Sequence, residues 1–130
     1  MKRRFLNAKL HHAVVTDHNP EYIGSLTINQ ELLEASGIRP GEVVSVFDVD
    51  NAARFETYVL KGSRGGGEIV VNGAAAHLVA PGNRLIILTF TYLEPHEVDN
   101  HSARVVLVAP GNRIGERFDY GTRLDAEMNS

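Results

Sequence analysis

Hydrophobic and polar positions alternate over much of this chain, and the alternation predicts mostly short strands. Val14, Val15 and Thr16 make Ala13 to Thr16 a β-prone run, and Tyr22 to Ile28 alternates as a strand does. Between them, Asp17-His18-Asn19-Pro20-Glu21 has a turn composition, and Pro20 holds Asn19 out of helical geometry. The period changes at Gln30 to Ser36, where Leu32, Leu33 and Ala35 are apolar. Asn29 stands there as N-cap, and Gly37 as the residue that ends the helix. Val43 to Val49 and Arg54 to Leu60 read as a hairpin about Asp50-Asn51-Ala52. The glycine-rich stretch Gly62 to Gly67 reads as a connection to a strand at Glu68 to Val71. Arg84 to Leu93 and Arg104 to Val108 are two further strands. Glu94 to Ser102 fits a short helix with Pro95 in its first turn, and the residues after Arg113 read as a polar, loosely held tail.

One local pattern recurs. Ile38-Arg39-Pro40-Gly41-Glu42-Val43 is echoed by Val79-Ala80-Pro81-Gly82-Asn83-Arg84, and Val108-Ala109-Pro110-Gly111-Asn112 repeats its start. The spacings are unequal, which excludes a solenoid. Pro-Gly is a good turn before any strand, so the echo is explained either by that alone or by a barrel of two pseudo-symmetric halves. Short strands with few helices favour a small closed barrel in both cases.

Composition narrows the chemistry. With 130 residues the chain makes one domain, and 13 Lys+Arg against 16 Asp+Glu leave a net charge of −3, which gives no sign of a nucleic-acid surface. Cysteine is absent, which removes disulfides, thiolate metal sites and cysteine nucleophiles. Lys2-Arg3-Arg4 is followed by no secretory apolar region, and Leu85 to Leu93 is too short to span a bilayer. The expectation is a cytoplasmic protein without a membrane partner. The six histidines show no metal-ligand spacing. His11 and His12, being adjacent on a strand, are expected on opposite faces. The glycine-rich stretch lacks the Lys-Ser/Thr of a phosphate loop and reads as a solvated connection. A single small domain has little room for a cofactor-binding module.

Asn72-Gly73-Ala74-Ala75-Ala76-His77 reads as a turn entering a short helix, and its small side chains leave backbone amides open to a ligand. The Gly24-Ser25 pair means little alone, since Gly62-Ser63 repeats it. Its surroundings are more specific. Ala8-Lys9-Leu10-His11, Tyr22-Ile23-Gly24-Ser25, Arg54-Phe55-Glu56-Thr57-Tyr58 and Asn72 to His77 occur in this order. That set, over roughly residues 1 to 110, resembles the pyruvoyl-dependent L-aspartate α-decarboxylases.

The resemblance implies a double-psi β-barrel over residues 1–112, a polar tail over 113–130, and a homotetramer. It implies decarboxylation of L-aspartate to β-alanine and CO₂ through an imine with a self-generated pyruvoyl group, supplying pantothenate and coenzyme A synthesis. No metal and no pyridoxal phosphate are expected. Ser25 would be the pyruvoyl precursor, Gly24 the cleavage carbonyl, Thr57 an aid to processing and to substrate binding, and Tyr58 the proton donor. Lys9 and Arg54 would hold carboxylate. His11, Tyr22, Asn72, Gly73, Ala74, Ala75 and Ala76 would complete the substrate pocket. Strand parity places Arg54 and Tyr58 on one side of their strand and Thr57 on the other, so a bulge, a strand end or an indirect contact is needed to bring all three to one site. The chain departs from the family pattern at Asn19-Pro20-Glu21, at Asn29 and at Ala52. The sequence does not settle a maturation factor. The alternatives are a non-catalytic β-barrel binding module and a pyruvoyl decarboxylase of another amino acid.

Overall fold

The computed structural model describes residues 1–125. In chain order the elements are β1 (Arg3–Val14), β2 (Asp17–Asn19), β3 (Ser25–Ile28), α1 (Gln30–Ser36), β4 (Val43–Asp48), β5 (Arg54–Lys61) and β6 (Ile69–Asn72). A 3₁₀ helix (Gly73–Leu78), β7 (Arg84–Leu93), a second 3₁₀ helix (Pro95–Asn100), β8 (Ser102–Ala109) and β9 (Arg113–Gly121) follow. The strands form one sheet in the order β2-β6-β3-β5-β4-β7-β1-β8-β9. β1 and β2 are separated only by Val15 and Thr16, and Thr16 is itself bonded to Ile69 through both its backbone N–H and its hydroxyl. The Arg3–Asn19 segment therefore pairs with β7 through β1 and with β6 through β2, and closes a six-stranded barrel. One core fills it, with Leu10, Leu26, Ile28, Leu32, Ile69, Leu85 and Ile87 fully buried.

The Pro-Gly echo is a symmetry of the fold. β5 lies antiparallel to β4 and parallel to β3, while β1 and β2 lie antiparallel to β7 and parallel to β6. In one half Gly41 donates to the Val59 carbonyl at 2.7 Å, and Val59 donates to the Glu42 carbonyl at 3.0 Å. In the other, Gly82 donates to Val15 at 2.8 Å and Val15 to Asn83 at 2.9 Å. The architecture is the mainly β, double-psi barrel with short helices expected above. The third Pro-Gly forms the β8–β9 turn, and Asn112 after it accepts from the Val14 N–H and donates to the Val14 and Gly67 carbonyls.

Local chemistry explains the helix and the places where the pattern misleads. Asn29 caps α1 by accepting from the Leu32 N–H at 3.0 Å, and Gly37 ends the helix at φ 80°. β1 begins at Arg3, ten residues before the apolar run that signals it. Register shifts after Leu6 and His11 break its period-two alternation and hide the strand. Asp17–Asn19, read as a turn, is a short strand parallel to Val70–Asn72. Tyr22 to Gly24 is not extended strand. Pro20 occupies the second position of a turn closed by Tyr22 N–H on the Asn19 carbonyl, and the Asn19 side chain accepts from Glu21. The expected tail is corrected too. Residues 113–121 form β9, held to β8 by backbone pairing that side-chain polarity does not reveal, so a boundary at 112 would cut a hairpin. Residues 126–130 of that expectation lie outside the described residues.

Candidate active site

The site is built around the bond between Gly24 and Ser25. β3 starts at Ser25, which pairs with Asn72 on β6. Ser25 is 1% exposed, and its hydroxyl donates to the Ile23 carbonyl at 2.9 Å while accepting from Asn72 Nδ2 at 3.0 Å. Asn72 also donates to Thr27 Oγ1 at 3.2 Å. Its amide is thus committed to β3 and does not cap the 3₁₀ helix that follows. Gly73, at φ 77°, presses against the same junction. A Cβ there would lie 2.5 Å from Gly24 Cα and 2.9 Å from Gly24 N. Only glycine lets the two backbones approach so closely. Ala74 to Ala76 run along the 3₁₀ helix, and the Ala76 carbonyl meets His18 Nδ1 at 3.0 Å. Tyr22, next to the junction, is 51% exposed.

β5 brings the next set of residues. Leu26 and Val59 are partners in the parallel β3–β5 pair, and one step back along both strands Ser25 comes level with Tyr58. The β4–β5 register runs from Val43–Tyr58 to Phe47–Arg54 without a shift. β5 has no bulge there, so Thr57 shares the inner face with Val59, while Arg54 and Tyr58 stand on the outer face. The Arg54 guanidinium lies over the Phe47 ring at 4.4 Å, four residues along the strand from Tyr58. A single protomer therefore brings Tyr58 level with Ser25, keeps Thr57 next to it on the inner face of β5, and sets Arg54 apart. The hairpin carrying Arg54 turns through Ala52 at φ 64°, a left-handed conformation that costs a side chain about 1–2 kcal/mol.

Lys9 and His11 lie on the outer face of β1 in a cleft of about 410 Å³, together with Leu6, Val105, Leu107, Phe118 and Tyr120. The expected opposition of His11 and His12 is corrected. His12 adopts φ 68° at a register shift, which folds its ring back onto His11 with centroids 3.9 Å apart. His11 Nδ1 is buried without a hydrogen-bond partner. Burial first, and then the neighbouring His12 and Lys9, hold the His11 imidazole below its ordinary pKa. Among the described residues no group of three or more His, Asp or Glu gathers as for a metal ion, and no helix is long and apolar enough to cross a membrane.

The motifs named Ser25, Thr57 and Asn72 but missed the Ile23 carbonyl, Phe47, His12, Phe118 and Tyr120. Phe47 had a signal, since a hairpin about residues 50–52 sets it opposite Arg54. Position 12 needed the bulge, and β9 needed the pairing.

Comparison with known proteins shows the family. Residues 1–115 match the family described as Aspartate decarboxylase. Aspartate 1-decarboxylases of Staphylococcus aureus strains MSSA476 and JH9 are each 46% identical over 116 residues, covering 89% of this chain and 91% of theirs. Among solved structures, the rationally designed protein mkDPBB_sym_86 aligns with a TM-score of 0.43 at 20% identity, covering 69% of this chain and 96% of that one. With a buried serine at the start of β3, Gly73 packed against Gly24 and a family match over residues 1–115, the chain belongs to the aspartate decarboxylase family.

Proposed function

We propose that this chain is an aspartate 1-decarboxylase, forming β-alanine and CO₂ with a pyruvoyl group made from its own Ser25. The supporting observation is the buried Ser25 hydroxyl, held between Asn72 and the Ile23 carbonyl against the backbone space that Gly24 and Gly73 leave. In maturation Ser25 Oγ attacks the Gly24 carbonyl carbon. The Gly24–Ser25 C–N bond breaks as the ester forms, and residue 25 gains a free amine. Elimination then breaks the Cβ–Oγ bond and releases the Gly24 carboxylate, and hydrolysis expels the amine as ammonia and leaves a ketone. Thr57, beside Tyr58 on β5, would stabilise the oxyanion of the shift through its hydroxyl. A small carbonyl group in place of Ser25 would keep Asn72 as its hydrogen-bond donor.

The ketone supplies the electron sink that decarboxylation needs. The chain's own side chains do the rest. Arg54 offers a planar fork and Lys9 a point charge for the two carboxylates of the substrate. Tyr58 returns a proton to the α-carbon. His11 and Tyr22 line the pocket, and Gly73 to Ala76 present backbone amides. The assembly is a cytoplasmic homotetramer whose product feeds pantothenate and coenzyme A synthesis.

Denaturing mass spectrometry tests the reading. Fragments 1–24 and 25–130 are expected, the larger short by one ammonia relative to simple hydrolysis, together with turnover of aspartate. An intact chain after prolonged warming would overturn it, and cleavage without aspartate turnover would shift the assignment to another amino acid. Ser25→Ala is expected to remain a single 130-residue chain. Arg54→Ala is expected to cleave normally and lose aspartate turnover.

A further inference from the structure

The Lys9–His11 cleft has a wall from beyond the family match. Lys9, Val105 and Phe118 stand level across β1, β8 and β9, and His11 is level with Leu107. Residues 1–115 carry the family match, so Phe118 and Tyr120 lie outside it. They are the two aromatic side chains of β9 and alternate with Arg117 and Asp119, which places both on one face of the strand. Lys9 and His11 are the polar groups of the cleft, and Leu6, Val105, Leu107, Phe118 and Tyr120 supply its apolar sides. Val105 sits on the outer face of the barrel and is nevertheless only 6% exposed, because β9 covers it.

We propose that Phe118 and Tyr120 are specificity-determining residues of the decarboxylase, bounding the cleft in which Lys9 holds a substrate carboxylate. The inference rests on the reading of Lys9 given above. An apolar wall strengthens the attraction between ammonium and carboxylate by excluding water. It also limits the length of side chain that reaches Lys9, favouring the four-carbon dicarboxylate over a homologue one methylene longer.

Phe118→Ala and Tyr120→Ala, assayed on L-aspartate and L-glutamate, test this. KM for aspartate is expected to rise roughly tenfold with kcat nearly unchanged. The preference for aspartate over glutamate is expected to fall about tenfold, a change that general loosening of the hairpin would not produce. Phe118→Leu is expected to restore both, and cleavage at Gly24–Ser25 is expected to proceed normally in each variant. Tyr120 is half exposed, so its variant folds even if Phe118→Ala does not. Wild-type KM and wild-type aspartate preference in the alanine variants would overturn the proposal. Lys9→Met, run in parallel, separates the two layers. If it keeps a wild-type KM, the carboxylate reading fails. If it raises KM while the aromatic variants do not, the wall alone fails.

Discussion

His11 shows how much one side chain owes to its neighbours. Its ring is stacked on His12, its Nδ1 is buried without a partner, and burial is the largest cause of its lowered pKa. Burial and its two neighbours all disfavour its charged form. The folded state resists protonation more than the unfolded chain does, so the unfolded chain binds the extra proton first as pH falls below about 6.5. Stability from this group is whole above that value and declines below it. An NMR titration is expected to place the His11 midpoint under the ordinary histidine value. His12→Ala is expected to move it partway back up, because His12 contributes less than burial does. Gly73 makes a second residue-scale prediction. Gly73→Ala puts a Cβ 2.5 Å from Gly24 Cα at a left-handed φ, where both neighbours are backbone. We expect a loss of more than about 1–2 kcal/mol in thermal unfolding and a slower cleavage time course by mass spectrometry. The sequence named Ser25 and Asn72 through their motifs, but the carbonyl that accepts from Ser25 belongs to Ile23, whose side chain is irrelevant to that role.

Elements were legible where one period ran unbroken. α1, with its cap and its glycine stop, and the β4–β5 hairpin stand where the pattern puts them. β1 was largely hidden because two register shifts change which side chains face inward, and β9 because an edge strand is held by backbone groups that composition does not register. The hairpin turn itself carries a testable strain. Ala52 adopts φ 64° while its N–H donates to the Asp48 carbonyl at 2.9 Å, so the turn keeps its geometry at the expense of a strained alanine. Ala52→Gly is expected to stabilise the protein by roughly 0.5–1 kcal/mol, the relief of strain being partly offset by the greater entropy of unfolded glycine. Thermal unfolding measures it, and a lower midpoint would show that the strain is absorbed elsewhere.

At the scale of the molecule, one barrel spreads the proposed site residues along β5. Ser25 is level with Tyr58, and Arg54 lies four residues farther along β5, about 13 Å away at the rise of a strand. The Arg54 guanidinium is also seated on Phe47 rather than turned toward Ser25. In one chain the Arg54 backbone is thus set well apart from residue 25. Near the junction, Tyr22, Ile23, Val43 and Tyr58 are exposed, an apolar surface suited to a second copy. The proposed homotetramer would then have a chemical reason, if Arg54 of one subunit met Ser25 of another. Chains carrying Ser25→Ala and chains carrying Arg54→Ala are each expected to be inactive on aspartate. Co-expressed in equal amounts, they are expected to recover about one quarter of wild-type turnover, because random assembly pairs an intact Ser25 with a partner's intact Arg54 in that share of sites. If both residues served within one chain, every site in the mixture would lack one of them and no activity would return.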